Sequence, residues 1–222
     1  MHRVLLLCTA LCASGCSFLV EPEIEAGPGD DLDSVAAVYR FDELTTVPGQ
    51  LVARDGSDRN PPLDLAISSA EAETLRFAAD DGSTYVDIRE EVTLRTSVTP
   101  TRLLDDCQQS GGITIESWVR SRLPQDDRNA RIVTLARDQN YEIFMIGETQ
   151  KRVEVRFDGL TAPLIAGTIT GELQHIVLVV AQEGTLELFV DAVKVLAVDF
   201  GSSFAIWDRA QALLSFDNNP VH

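Results

Sequence analysis

The chain has 222 residues, with 18 lysines and arginines against 35 aspartates and glutamates, a net charge of −17. A surface so acidic repels phosphate backbones and anionic headgroups, which argues against nucleic acid and against direct adsorption to anionic lipid. With 45% hydrophobic and 24% charged residues the chain is globular rather than disordered, and its length suits one domain with a sizeable core. The same charge favours cations such as calcium and equally serves solubility.

In chain order, the first object is "MHRVLLLCTALCASGC". Arg3, an apolar stretch from Val4 to Leu11 and small residues before Cys16 make a secretory signal over residues 1–15, too short for a spanning helix. "Ala13-Ser14-Gly15-Cys16" resembles a bacterial lipobox, which makes Cys16 the expected lipid attachment residue. Ordinary cleavage without lipid fits the same signal. In Gram-negative lipoproteins a Ser after the Cys, here Ser17, resembles those sorted to the outer membrane, so the expected address is the cell envelope with membrane contact only through the anchor. Residues 16–33 are acidic, with Pro and Gly and no basic residue, and are expected to form a flexible linker. The domain is expected over residues 34–222. With Cys8 and Cys12 in the signal and Cys16 taken by lipid, Cys107 is the one thiol left, which excludes a disulfide within the domain and a cysteine-rich zinc site.

From residue 34 the chain reads as strands. "SVAAVYRFDE", "LDLAISS" and "ETLRFAADDGSTYVDI" are β-rich, with Gly, Asp, Pro and Asn between them. In "GITIESWVRSRL", Ile113, Ile115, Ser117 and Val119 share one face while Thr114, Glu116, Trp118 and Arg120 share the other. "ARIVTLARD", "NYEIFMIGE" and "KRVEVRFDG" form a meander turning at 138–140 and 147–151. "GELQHIVLVV" and "LELFVDAVKV" form a hairpin, and "ALLSF" is the last strand. Short strands between turn residues predict an all-β, two-sheet antiparallel sandwich. Outside a turn near Glu71 to Leu75, no helix is expected.

Taken in order, "VAAVYRFDE", "ITIESWVRS", "ARIVTLARD", "GELQHIVLVV", "LELFVDAVKV" and "FAIWDRAQALLSFDNNP" resemble the laminin G-like, concanavalin A-like lectin/glucanase superfamily, in its bacterial secreted branch. The resemblance spans most of residues 34–220 and implies a jelly-roll sandwich. It also implies a structural role for His175, which agrees with its place in an apolar strand. Asp191 falls at the Asp of the family's Asp-Gly hairpin turn, but Ala192 follows it, which predicts a strained turn or one of another type. The family continues past "LSFDNNP" into one more strand, so a chain ending at His222 is expected either to be truncated or to leave a sheet edge open.

Glycoside hydrolases share this fold, and retaining ones need two carboxylates about 5 Å apart. Glu116 has no acidic neighbour two residues away, while Glu154 and Asp158, with Arg156 between, read as an exposed charge ladder, so no enzyme is expected. In "RDGSDRN" the resemblance implies a calcium loop with Asp55, Ser57 and Asn60 as ligands. Asp58 and Arg59 stand where the family has glycines, and an acid-rich turn without metal fits equally. Trp118 and Phe144 read as core, whereas Trp207, beside Asp208 and Arg209, is the expected ligand contact. The expected function is a non-catalytic binding module on a surface lipoprotein, contacting carbohydrate or an extracellular protein. A structural member of the family without a specific ligand is the alternative.

Overall fold

The computed structural model describes residues 16–19, 35–39, 41, 44–68, 75–80, 83–88, 93–121, 130–138, 141–158, 160–199, 201 and 212–217. The expected signal, Trp207 and the acidic stretch 20–34 lie outside these residues. The elements are β1 (Cys16–Leu19), β2 (Val35–Val38), β3 (Leu44–Val47), β4 (Gln50–Ala53), β5 (Leu65–Ser68), β6 (Leu75–Asp80), β7 (Ser83–Ile88) and β8 (Thr93–Thr96). After them come α1 (Thr101–Ser110), β9 (Ile113–Val119), β10 (Ala130–Asp138), β11 (Tyr141–Thr149), β12 (Arg152–Phe157) and β13 (Leu164–Ala166). The chain closes with β14 (Gln174–Val180), β15 (Thr185–Val190), β16 (Val193–Asp199) and β17 (Leu213–Asp217).

These strands make the expected all-β, two-sheet sandwich. One sheet has the order β16-β15-β14-β9-β1-β2 and the other β13-β12-β11-β10-β17-β8-β5-β4-β3, while β6 and β7 form a separate hairpin. Strand alternation builds the core directly. Ile113, Ile115 and Val119 of β9, Ile176, Leu178 and Val180 of β14, and Leu186 and Leu188 of β15 point inward from the first sheet. Val133, Leu135, Phe144, Ile146, Val155, Phe157 and Leu214 meet them from the second in one cluster. Cys107 is buried among them on α1, and Phe144 is core as expected.

Two elements depart from the sequence reading. The helix α1 is not expected from the pattern; its buried stripe is only Leu103, Leu104 and Cys107, too short for a periodic signal. Its ends are nevertheless marked, by Pro100 before it and by Gly111 after it at φ 70°, whose N–H closes on the Cys107 carbonyl at 2.8 Å. Residues 16–19, which the sequence assigns to a linker, form β1. This strand runs parallel to β9 and β2 and lies between them.

The turn after β15 resolves the question raised by Ala192. Asp191 and Ala192 have φ 50° and 63°, so the two-residue loop is of the type with both central positions left-handed. An Ala held there costs about 1 kcal/mol. Ala192→Gly is therefore expected to stabilise the fold by about 1 kcal/mol and raise Tm by roughly 2–4 °C, read by thermal unfolding.

Glu148, near the end of β11, is 4% exposed. Burial pushes its carboxyl above the ordinary range, and a hydrogen bond with Ser121 partly opposes this. Folding thus favours the protonated acid, and stability is lost as pH rises from the unfolded value, about 4.3, through the higher folded one. Glu148→Gln is expected to raise Tm at pH 7 and to leave it unchanged near pH 3.

Candidate functional site

The alternation that sends Ile113, Ile115 and Val119 inward sends Thr114, Glu116 and Trp118 to the outer face of the six-stranded sheet. The antiparallel register sets His175 of β14 directly opposite Trp118, and Val177 between Glu116 and Phe189 of β15. The Trp118 and His175 rings stack with centroids 4.5 Å apart and planes 15° from parallel. His175 Nε2 lies 2.5 Å from Glu116 Oε1, and Glu116 is only 8% exposed although it faces outward. Phe189 extends the patch, with Lys194 Nζ 5.6 Å from its ring centroid and paired to Glu187. Trp118 is thus half-buried: it packs against the core cluster from an outward position, rather than lying inside the core.

One end of this patch is tied down by Asp191. Its Oδ1 accepts the His175 backbone N–H at 2.9 Å and its Oδ2 accepts from Gln174 Nε2 at 3.3 Å. Gln174 in turn donates to the Thr168 carbonyl at 3.0 Å and accepts the Thr170 N–H at 2.6 Å. The turn before β14 and the turn after β15 are therefore locked to each other beside the Trp118–His175 stack. A His–carboxylate pair of this kind fixes the imidazole in one orientation against the Trp118 ring. What the patch offers is a flat aromatic stack, an ionisable pair and a cation at its rim.

The Asp55 loop is built differently from the expectation. Asp55 Oδ1 accepts the N–H groups of Val38 at 3.0 Å and Ser57 at 2.9 Å. Its Oδ2 accepts the Leu63 N–H at 2.9 Å and faces Arg102 Nη2 at 3.5 Å. A carboxylate has about four lone-pair sites, and here donors take them all. Asp55 and Ser57 are buried whereas Asn60 is exposed. Among the described residues no cluster of His, Cys, Asp and Glu has the arrangement of a metal centre. The Arg102 guanidinium supplies the positive charge beside Asp55. The same carboxylate and Asp64, together with burial, push the Tyr39 phenol well above its usual range, and its hydroxyl donates to the Leu63 carbonyl at 2.5 Å.

A second charged group lies on the nine-stranded sheet, where the sequence spacing predicts an exposed ladder. Glu154 is 3% exposed and accepts from Arg156 Nε at 2.8 Å. Arg156 also reaches Glu142 at 3.3 Å, and Arg131 meets Glu142 at 3.0 Å. Each carboxylate is matched by a guanidinium in a low-exposure network, and the Glu154 and Asp158 spacing alone could not show Arg131 or Glu142 arriving from neighbouring strands.

No family model and no curated protein matches the chain. Solved structures do share its fold. The binding domain of botulinum neurotoxin serotype D/C superposes with a TM-score of 0.54 at 8% identity, covering 80% of this chain and 43% of that one. The binding domain of serotype C1 gives 0.51 at 8% identity, over 81% and 42%. A botulinum neurotoxin type C, whose cell entry depends on interaction with two ganglioside molecules, gives 0.51 at 8% over the same shares. The chain therefore spans less than half the length of these three structures, and at this identity the likeness is one of fold: a sandwich that those proteins use in their binding domains.

Proposed function

We propose that the protein is a non-catalytic binding module, held at the bacterial envelope through lipid on Cys16, whose ligand is a carbohydrate or an extracellular protein. The observation that carries this is the Trp118–His175 stack, half exposed on an outer sheet face beside the Glu116 carboxylate. Large amphipathic rings with a polar partner are what sugar faces and protein hot spots select. The toxin binding domains of the same fold support the reading. The acidic surface, with a net charge of −17, disfavours nucleic acid.

The test is capture on an array of glycans, with gangliosides included, and of extracellular proteins. Trp118→Ala is expected to weaken the captured ligand at least about tenfold, the loss of a central aromatic contact. Its Tm is measured alongside, since Trp118 also packs on the core. Capture unaffected in a folded Trp118→Ala protein would sink this face as the site, and no capture at all would leave the structural member without a ligand.

In the same reading the Asp55 loop is a metal-free anchor with Arg102 in the cation's place. Asp55→Ala removes the acceptor of three buried N–H groups and is expected to cost more than about 3 kcal/mol. Calcium and EDTA are expected to give the same Tm, and a calcium-dependent rise would restore the ion to the loop.

A further inference from the structure

The strand β1 is built unlike the rest of the sandwich. Every other strand pairing described is antiparallel, whereas β1 runs parallel to both neighbours. Cys16, Ser17 and Phe18 pair with Ile113, Thr114 and Ile115 of β9, and Ser17, Phe18 and Leu19 pair with Val35, Ala37 and Val38 of β2. It alone joins β2 to β9. Without it, the interior strand β9 would lose a row of backbone partners and the edge strand β2 would lose its place in the sheet, although Val35, Ala36, Ala37 and Val38 are 2% exposed or less. Fifteen residues separate Leu19 from Val35, enough for the crossover that parallel neighbours require.

The position of Cys16 in this strand has a directional meaning. It opens β1 opposite Ile113, and Ile113 also faces Val180, the last residue of β14. The chain then runs along β9 toward Trp118, which faces His175 near the other end of β14. The Cys16 end and the Trp118 end are thus opposite ends of one sheet, about 20 Å apart along the strands.

We propose that residues 16–19 are a rigid mount rather than a tether: an acyl anchor on Cys16 enters the sheet directly, holding the Val180 end toward the bilayer and the Trp118–His175 face away from it. The partner of this end of the sandwich is a lipid surface, reached through the acyl chains. The inference rests on the anchored-module reading and gives that module an orientation.

The experiment uses the protein expressed with its own residues 1–15 in a Gram-negative host, purified from membranes and returned to liposomes. A fluorophore is placed through Gln182→Cys, just past Val180 and beside Gly111, or through Glu172→Cys, just before β14; both positions are exposed and Cys107 is buried. With a headgroup quencher in the liposomes, quenching at position 182 is expected to be at least about twofold stronger than at 172, given the strand-length separation. Equal quenching at the two positions, the mark of a free tether, or the reverse order, would overturn the mount. A second measurement pairs Ser17→Cys with Thr114→Cys, which are Cα partners across β1 and β9. An intrachain disulfide is expected, and its failure to form would remove β1 from the sheet. A mature mass without acyl groups on Cys16 would end the mount while leaving the binding face standing. An empty ligand screen with the quenching difference intact would do the opposite.

Discussion

One carboxylate sits where three parts of the chain that share no sheet come together. Asp55 accepts hydrogen bonds from Val38, at the end of β2 in the six-stranded sheet, and from Leu63, which leads into β5 of the nine-stranded sheet, and it faces Arg102 on α1. The Gly56 N–H returns to the Val38 carbonyl at 2.7 Å, so the contact is made in both directions. A carboxyl group buried this deeply is tolerated only because donors surround it. In return it fixes where one sheet lies over the other, and the alternation of every later strand inherits that placement.

Once the sheets are stacked, a period of two decides where most side chains go. The same rule that fills the core with Ile115, Leu178 and Leu188 brings Glu116, His175 and Phe189 to the opposite side. The Trp118–His175 patch is therefore not an addition to the fold; it is the other half of the pattern that makes the core. The paired charges of Arg131, Glu142, Arg156 and Glu154 show the same logic on the second sheet, where the outward face is nearly as enclosed as the inward one and charge is admitted only in matched pairs.

This explains what can be read from the amino-acid order and what cannot. Alternation and turn residues are local, so the sandwich, most of its strands, the meander from β10 to β12 and the Asp191 turn are all legible. The faces of β9 are legible too, yet Trp118 reads as core on its size although parity puts it outside. Asp55 is recognisable as a loop acid, but its partners come from Val38, Leu63 and Arg102, which are 17, 8 and 47 residues away. A carboxylate that accepts N–H groups and one that binds a cation look the same in sequence. The stack of Trp118 on His175 needs the β9–β14 register, and the strand at Cys16–Leu19 needs partners that an acidic, Pro- and Gly-containing context conceals.

The parallel strand also sets an order of assembly. The β14, β15 and β16 meander closes through short turns, and the β11–β12 pair through the two residues Gln150 and Lys151, so these can form as soon as they leave the ribosome. The partner of Cys16 on β9 lies roughly a hundred residues further along the chain. Residues 16–19, made early, are thus among the last to find their place, and β2 waits with them for the row of partners that β9 completes.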